Sequence, residues 1–135
     1  MISVMVNTVV FAQQNTLTVN ITGINNIKGN VYVYLYTSEE GFPIEISKAN
    51  SFKKAEVDSN NVTVFFENLK PGTYAVSVYQ DIDANGKINK NFLGIPKEPV
   101  GVSNDAKGFM GPPKYEDANF KLNSNKTIEI KLNKE

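Results

Sequence analysis

Leu69-Lys70-Pro71-Gly72-Thr73-Tyr74-Ala75-Val76-Ser77-Val78-Tyr79-Gln80-Asp81 is the run whose reading decides the fold. Pro71 and Gly72 occupy the second and third positions of a type II turn, which want a fixed φ and a positive φ, so the run opens with a sharp corner. Behind the corner, Tyr74, Val76 and Val78 alternate with Ala75, Ser77 and Tyr79, the period of two that sends successive side chains to opposite faces of a sheet. A tyrosine just past such a corner can hydrogen-bond the backbone behind it and lock the edge of a sandwich.

The same alternation recurs on both sides. Leu17, Val19 and Ile21 interleave with Thr16, Thr18, Asn20 and Thr22 until Gly23. Val31, Val33 and Leu35 form one face of the next strand, with Tyr32, Tyr34 and Tyr36 on the other. Residues 39–52 bend at Gly41-Phe42-Pro43 and read as a short helical turn or an irregular crossover. Lys53 to Val57 and Val62 to Glu67 flank Asp58-Ser59-Asn60-Asn61, whose residues favour a tight turn, and are expected to pair as a hairpin. Beyond the rigid connector Phe109 to Tyr115, Ala118, Phe120 and Leu122 suggest a sixth strand, and Ile128, Ile130 and Leu132 a seventh. Seven short strands without a long helix predict an all-β, seven-stranded antiparallel β-sandwich of immunoglobulin-like architecture.

A chain of 135 residues, 41% hydrophobic and 21% charged, fits a single domain, here residues 15–133, able to bury a core without staples. Fourteen Lys balance fourteen acidic residues, so the basic footprint that nucleic acid demands is missing. With no His and no Cys, Ser-His-Asp and Cys-His catalysis, ordinary zinc sites and disulfides are excluded. Any catalysis would rest on carboxylates, Lys, Tyr or a hard cation.

Ile2 to Ala12 resembles the hydrophobic half of a signal peptide, with Val10 and Ala12 at the small-residue positions and cleavage after Ala12. The run lacks a basic n-region, and the competing reading is a first strand built on Val4, Val6, Val9 and Val10. The run is too short to span a bilayer. The signal reading predicts a periplasmic, secreted or cell-surface protein with no membrane span.

From Asp81 to Asn104 the chain is too rich in Gly, Pro and Asn for an ordinary turn, and loops longer than about 12–15 residues are usually functional. Asp81, Asp83 and Asn85 alternate and Gly86 follows, as at the start of a calcium loop, where side-chain oxygens at positions one, three and five precede a sharp turn. Lys87 then supplies a backbone carbonyl, Ile88 packs inward and Asn89 ligates directly or through water. The twelfth position, which wants a bidentate Glu, is Phe92; Asn91 is the nearest donor, and Glu98 or Asp105 are distant ligands. Two carboxylates predict weak calcium affinity, at about 10⁻⁴–10⁻³ M. The competing reading is a metal-free loop in which Asp81, Asp83 and Asn85 cap backbone amides.

Two further readings concern the same surface. Asp81 with Glu98, Asp105, Glu116 or Asp117 forms a carboxylate pair if both acids face one cleft, as glycoside hydrolysis requires. Tyr32, Tyr34 and Tyr36 either stack on sugar rings or cover the core edge and keep their hydroxyls wet.

Gly29-Asn30-Val31, Leu69 through Tyr74, Asp81 through Glu98, Gly101-Val102-Ser103-Asn104, Gly111-Pro112-Pro113 and Glu116 through Phe120 together carry a likeness. Through them the sequence resembles a bacterial family, domain of unknown function 2141 (DUF2141), common in exported proteins. The resemblance implies a sandwich similar to transthyretin-like and carboxypeptidase-regulatory domains, which share the Leu-x-Pro-Gly-x-Tyr corner, and it implies no assigned activity. Where relatives have His before the loop and Asp late in it, this chain has Gln80 and Asn89, which weakens a metal role and the His-based hydrolysis of transthyretin-like proteins. The expected function is an exported, non-catalytic binding or accessory module whose loop, with or without calcium, meets a protein or a cell-envelope glycan. The alternatives are a carboxylate-based hydrolase acting on envelope polysaccharide or peptide, and an accessory domain with no ligand.

Overall fold

The computed structural model describes residues 14–84, 98–109 and 111–132. The leader expected over residues 1–12 lies outside the described residues. Two sheets enclose one main core, and the sandwich expected from the alternation is present, with eight strands where seven were expected.

The smaller sheet is centred on β1 (Asn15–Thr22), with β4 (Val62–Leu69) antiparallel on one side and β8 (Lys126–Lys131) parallel on the other. Leu17, Val19 and Ile21, fully buried, lie in register with Phe66, Val64 and Val62. The larger sheet runs β3 (Ser51–Glu56), β2 (Asn30–Tyr36), β5 (Gly72–Asp81), β6 (Val100–Val102), and β7 (Phe120–Leu122) pairs with the first residues of β5. Val31, Val33 and Leu35 of β2 and Tyr74, Val76 and Val78 of β5 close the core from that side. β8 is parallel to β1 because it crosses from the other sheet, and the Asn125 side chain fixes its start by accepting the Thr16 amide at 2.9 Å.

Three local readings are corrected. β3 and β4 are not a hairpin: β3 pairs with β2 and β4 with β1, so the turn at Asp58–Asn61 carries the chain from one sheet to the other. Buried Val57 enters the core at this crossing, and Asn60 Nδ2 donates to the Ile24 carbonyl at 2.9 Å; alternation alone does not distinguish a corner from a hairpin. Ala118 ends a single helical turn, α1 (Tyr115–Ala118), rather than beginning a strand. The left-handed residue of the β4–β5 corner is Asn68, at φ 60, and not Gly72. The tyrosine lock holds, with Tyr74 Oη donating to the Lys70 carbonyl at 2.6 Å and burial raising its pKa.

The outer face of the larger sheet is covered as well. The crossover after β2 folds over it: Tyr36 Oη donates to the Glu45 carbonyl, Ser77 Oγ donates to the Pro43 carbonyl, and the Phe42 ring stands edge-on between Tyr36 and Tyr115. Tyr34, Tyr36 and Tyr79 are buried there.

The motif Gly101-Val102-Ser103-Asn104 is structural. Ser103 Oγ, buried in a 3-10 turn (Ser103–Asp105), donates to the Ala118 carbonyl at 2.6 Å and accepts the Val76 amide at 2.9 Å. Asn104 takes the left-handed conformation, φ 61, and its Nδ2 donates to the Asp117 and Asn119 carbonyls. Asp105 Oδ1 accepts the Lys131 amide, closing this side of the sandwich onto β8.

Candidate functional site: three carboxylates at the end of β5

Alternation along β5 sends Tyr74, Val76, Val78 and Gln80 into the core and Ala75, Ser77, Tyr79 and Asp81 to the outer face. Asp81 is fully buried where the strand ends. Its backbone is braced from two directions. Gln80 Nε2 donates to the Asn26 and Lys28 carbonyls at 2.6 and 3.0 Å, holding the turn before β2 against the strand end. Gly29, at φ +67, brings its backbone so close that a Cβ there would lie 1.9 Å from the Asp81 carbonyl oxygen. Only glycine meets both demands, which accounts for the Gly29 of the motif Gly29-Asn30-Val31.

The return strand supplies the third acid. β6 pairs with β5 in the register Tyr79↔Val100, and the Gln80 amide donates to the Pro99 carbonyl at 2.9 Å. Continuing that register by one residue sets Glu98 opposite Asp81. Glu98 is 7% exposed, and its Oε2 accepts the Ile82 amide. Asp83 lies in the turn that follows the strand, with its side chain exposed.

One carboxylate oxygen from each of Asp81, Asp83 and Glu98 lies within 4.8 Å of the others. Oxygens that share one calcium ion sit about 2.3–2.6 Å from it and so no more than about 5 Å apart, which matches this spacing. Like charges set opposite one another in an antiparallel pair are destabilising, and a cation between them reverses the sign of that contribution.

Of the ligands expected from the sequence, Asp81 and Asp83 come together, whereas Asn85, Lys87 and Asn89 lie outside the described residues. Glu98, foreseen as a distant ligand, joins the two aspartates. Asp105 does not, since its carboxylate serves β8. Glu116 and Asp117 lie in α1.

The tyrosines adjoin this end of the sheet. Tyr32 and Tyr79 stack with centroids 5.1 Å apart and planes 7° from parallel, and Tyr34 stacks on Tyr79 at 6.0 Å and on Phe52 at 5.7 Å. Tyr34 and Tyr36 are buried, Tyr36 with its ring edge-on to Phe42, so neither offers a flat platform to a sugar. Burial pushes the Tyr36 hydroxyl up to about 12, and raises Tyr34 and Tyr79; for Tyr79 the Asp81 charge adds to the rise.

Fold and site together define a small all-β sandwich module with an acidic cluster where β5 ends and the chain returns to the larger sheet ahead of β6. The family described as uncharacterized protein conserved in bacteria (DUF2141) matches residues 19–131, and the chain belongs to that family. No curated protein and no solved structure matches the chain. Among the described residues no helix is long and apolar enough to cross a membrane.

Proposed function

We propose that this protein is an exported, non-catalytic β-sandwich module whose loop after β5 is stiffened by calcium and serves as a contact surface for a protein or an envelope glycan. The observation that carries the ion is the approach of Asp81, Asp83 and Glu98 oxygens to within 4.8 Å, with Asp81 and Glu98 buried. Asp81 and Glu98 stand at the two ends of the loop, so an ion they share ties its departure to its return. Asn85, the Lys87 carbonyl and Asn89 complete the ligand set in this reading, and the third carboxylate compensates for Phe92 at the twelfth position. A non-catalytic role is supported by the lack of His and Cys and by the engagement of Glu98 and Asp105 with backbone amides.

Terbium, which takes calcium sites, tests the ion directly. The chain has six Tyr and no Trp, and Tyr79 adjoins Asp81, so bound terbium would be excited through tyrosine. Sensitised emission that calcium displaces, and that Asp81→Asn abolishes, is the expected result. Emission unaltered by Asp81→Asn, or none, removes the site.

A further inference from the structure

Phe109 is 91% exposed, more than any other large hydrophobic residue described. It stands on a pinched turn, because a Cβ on Gly108 would lie 1.7 Å from the Gly111 carbonyl oxygen and 2.7 Å from the Pro112 carbonyl carbon. The backbone at residue 108 therefore touches that at residues 111 and 112, and next to this contact the Phe109 ring stands in solvent as a knob. Pro112 and Pro113 also line a hollow of about 350 Å³, whose other walls include Phe42 and Tyr115, packed edge to face at 5.8 Å. Glu39 and Glu116 stand on the same hollow against a single Lys114, so it carries an excess of negative charge.

We propose that the protein forms a two-fold dimer in which Phe109 of each copy enters the Phe42–Tyr115 hollow of the other. Knob and hollow adjoin through Pro112 on one side of the molecule, so a two-fold axis satisfies both at once, as an isologous interface requires. Phe109 does not fill its own hollow, since its ring is almost wholly in solvent. Charge favours the same arrangement: exposed Lys107 accompanies the knob, and Glu39 and Glu116 of the facing copy receive it. The inference is independent of the calcium reading.

Sedimentation velocity of the full chain from about 10 μM to about 1 mM spans the range of a small interface built on one aromatic anchor. A dimer fraction that rises with concentration is expected, and Phe109→Ser should raise the dissociation constant about tenfold or more while leaving the melting temperature unchanged. Lys107→Glu and Glu116→Lys should each weaken the dimer, and combining them should restore it. A monomer at every concentration, a dimer indifferent to Phe109→Ser, or double reversal without rescue overturns the proposal. A monomer whose Phe109 instead binds anionic lipid vesicles also overturns it, in favour of a membrane surface.

Discussion

Glu98→Gln removes one charge from the acidic cluster while leaving an oxygen that can still accept the Ile82 amide, so it separates ion binding from folding. A calcium site with a dissociation constant of about 10⁻⁴ M, bathed in about 10 mM free calcium, stabilises the folded chain by about 2.7 kcal/mol. For a chain of this size each kcal/mol moves the melting temperature by about 3–5 °C, so calcium should raise it by about 8–14 °C over the chelated protein. If losing one carboxylate of three weakens binding about tenfold, the stabilisation falls to about 1.4 kcal/mol and the shift to about 4–7 °C. Scanning calorimetry with calcium and then with chelator reads both numbers. Asp105→Asn is the control, because Asp105 bonds the Lys131 amide, and its calcium increment should equal that of the parent. Equal increments in the parent and Glu98→Gln, or a parent increment below about 1 °C, would refute the reasoning.

Further outcomes are expected. Gly29→Ala should cost at least about 2 kcal/mol in urea unfolding, since the new Cβ meets both an unfavourable φ and the Asp81 carbonyl. Tyr74→Phe should cost about 1 kcal/mol by the same assay through loss of the bond to the Lys70 carbonyl, and Ser103→Ala about 1–3 kcal/mol, because the buried Val76 amide loses its acceptor. In alkaline titration followed at 295 nm, Tyr34, Tyr36, Tyr74, Tyr79 and Tyr115 should ionise above pH 10 in the native protein. Their folded pKa values exceed the unfolded ones, so the stability they carry is intact below pH 10 and is lost as pH rises further, through about 12 for Tyr36. Finally, if Ile2 to Ala12 is a signal, N-terminal sequencing of the protein from its native cells should begin at Gln13.

The fold was legible wherever one face of a strand is apolar and the other is not. Leu17-Thr18-Val19-Asn20-Ile21 and Val31 to Leu35 reveal their inward faces directly, and the tyrosine lock followed from its corner. What escaped was information carried by distant partners. A period of two says which way a side chain points but not which strand lies alongside, so the passage between β3 and β4 resembled a hairpin although it changes sheet. The three residues of β6 are too few to establish a period, and β6 exists because β5 offers an edge there. Gly72 illustrates the reverse error: proline followed by glycine suggested a type II turn, but the corner's positive φ falls on Asn68.

The candidate site divides along the same line. Asp81 and Asp83 announced themselves by local spacing, because carboxylates at alternate positions are how a calcium loop opens. Glu98 lies 17 positions after Asp81, and only strand register connects them. Once Val100 is opposite Tyr79, Pro99 must fall opposite Gln80 and Glu98 opposite Asp81, whatever occupies the residues between. Calcium loops that end in a twelfth-position acid close on themselves within one continuous segment; in the site proposed above the closing acid would instead come from the sheet. The arrangement has a consequence for how the intervening loop changes: its length and composition can vary without moving Asp81 relative to Glu98, provided Gln80, Pro99 and the β5–β6 pairing remain. A loop shortened within residues 85–97 should therefore retain part of the calcium increment, whereas Val100→Pro, which disrupts the pairing at Tyr79, should abolish it.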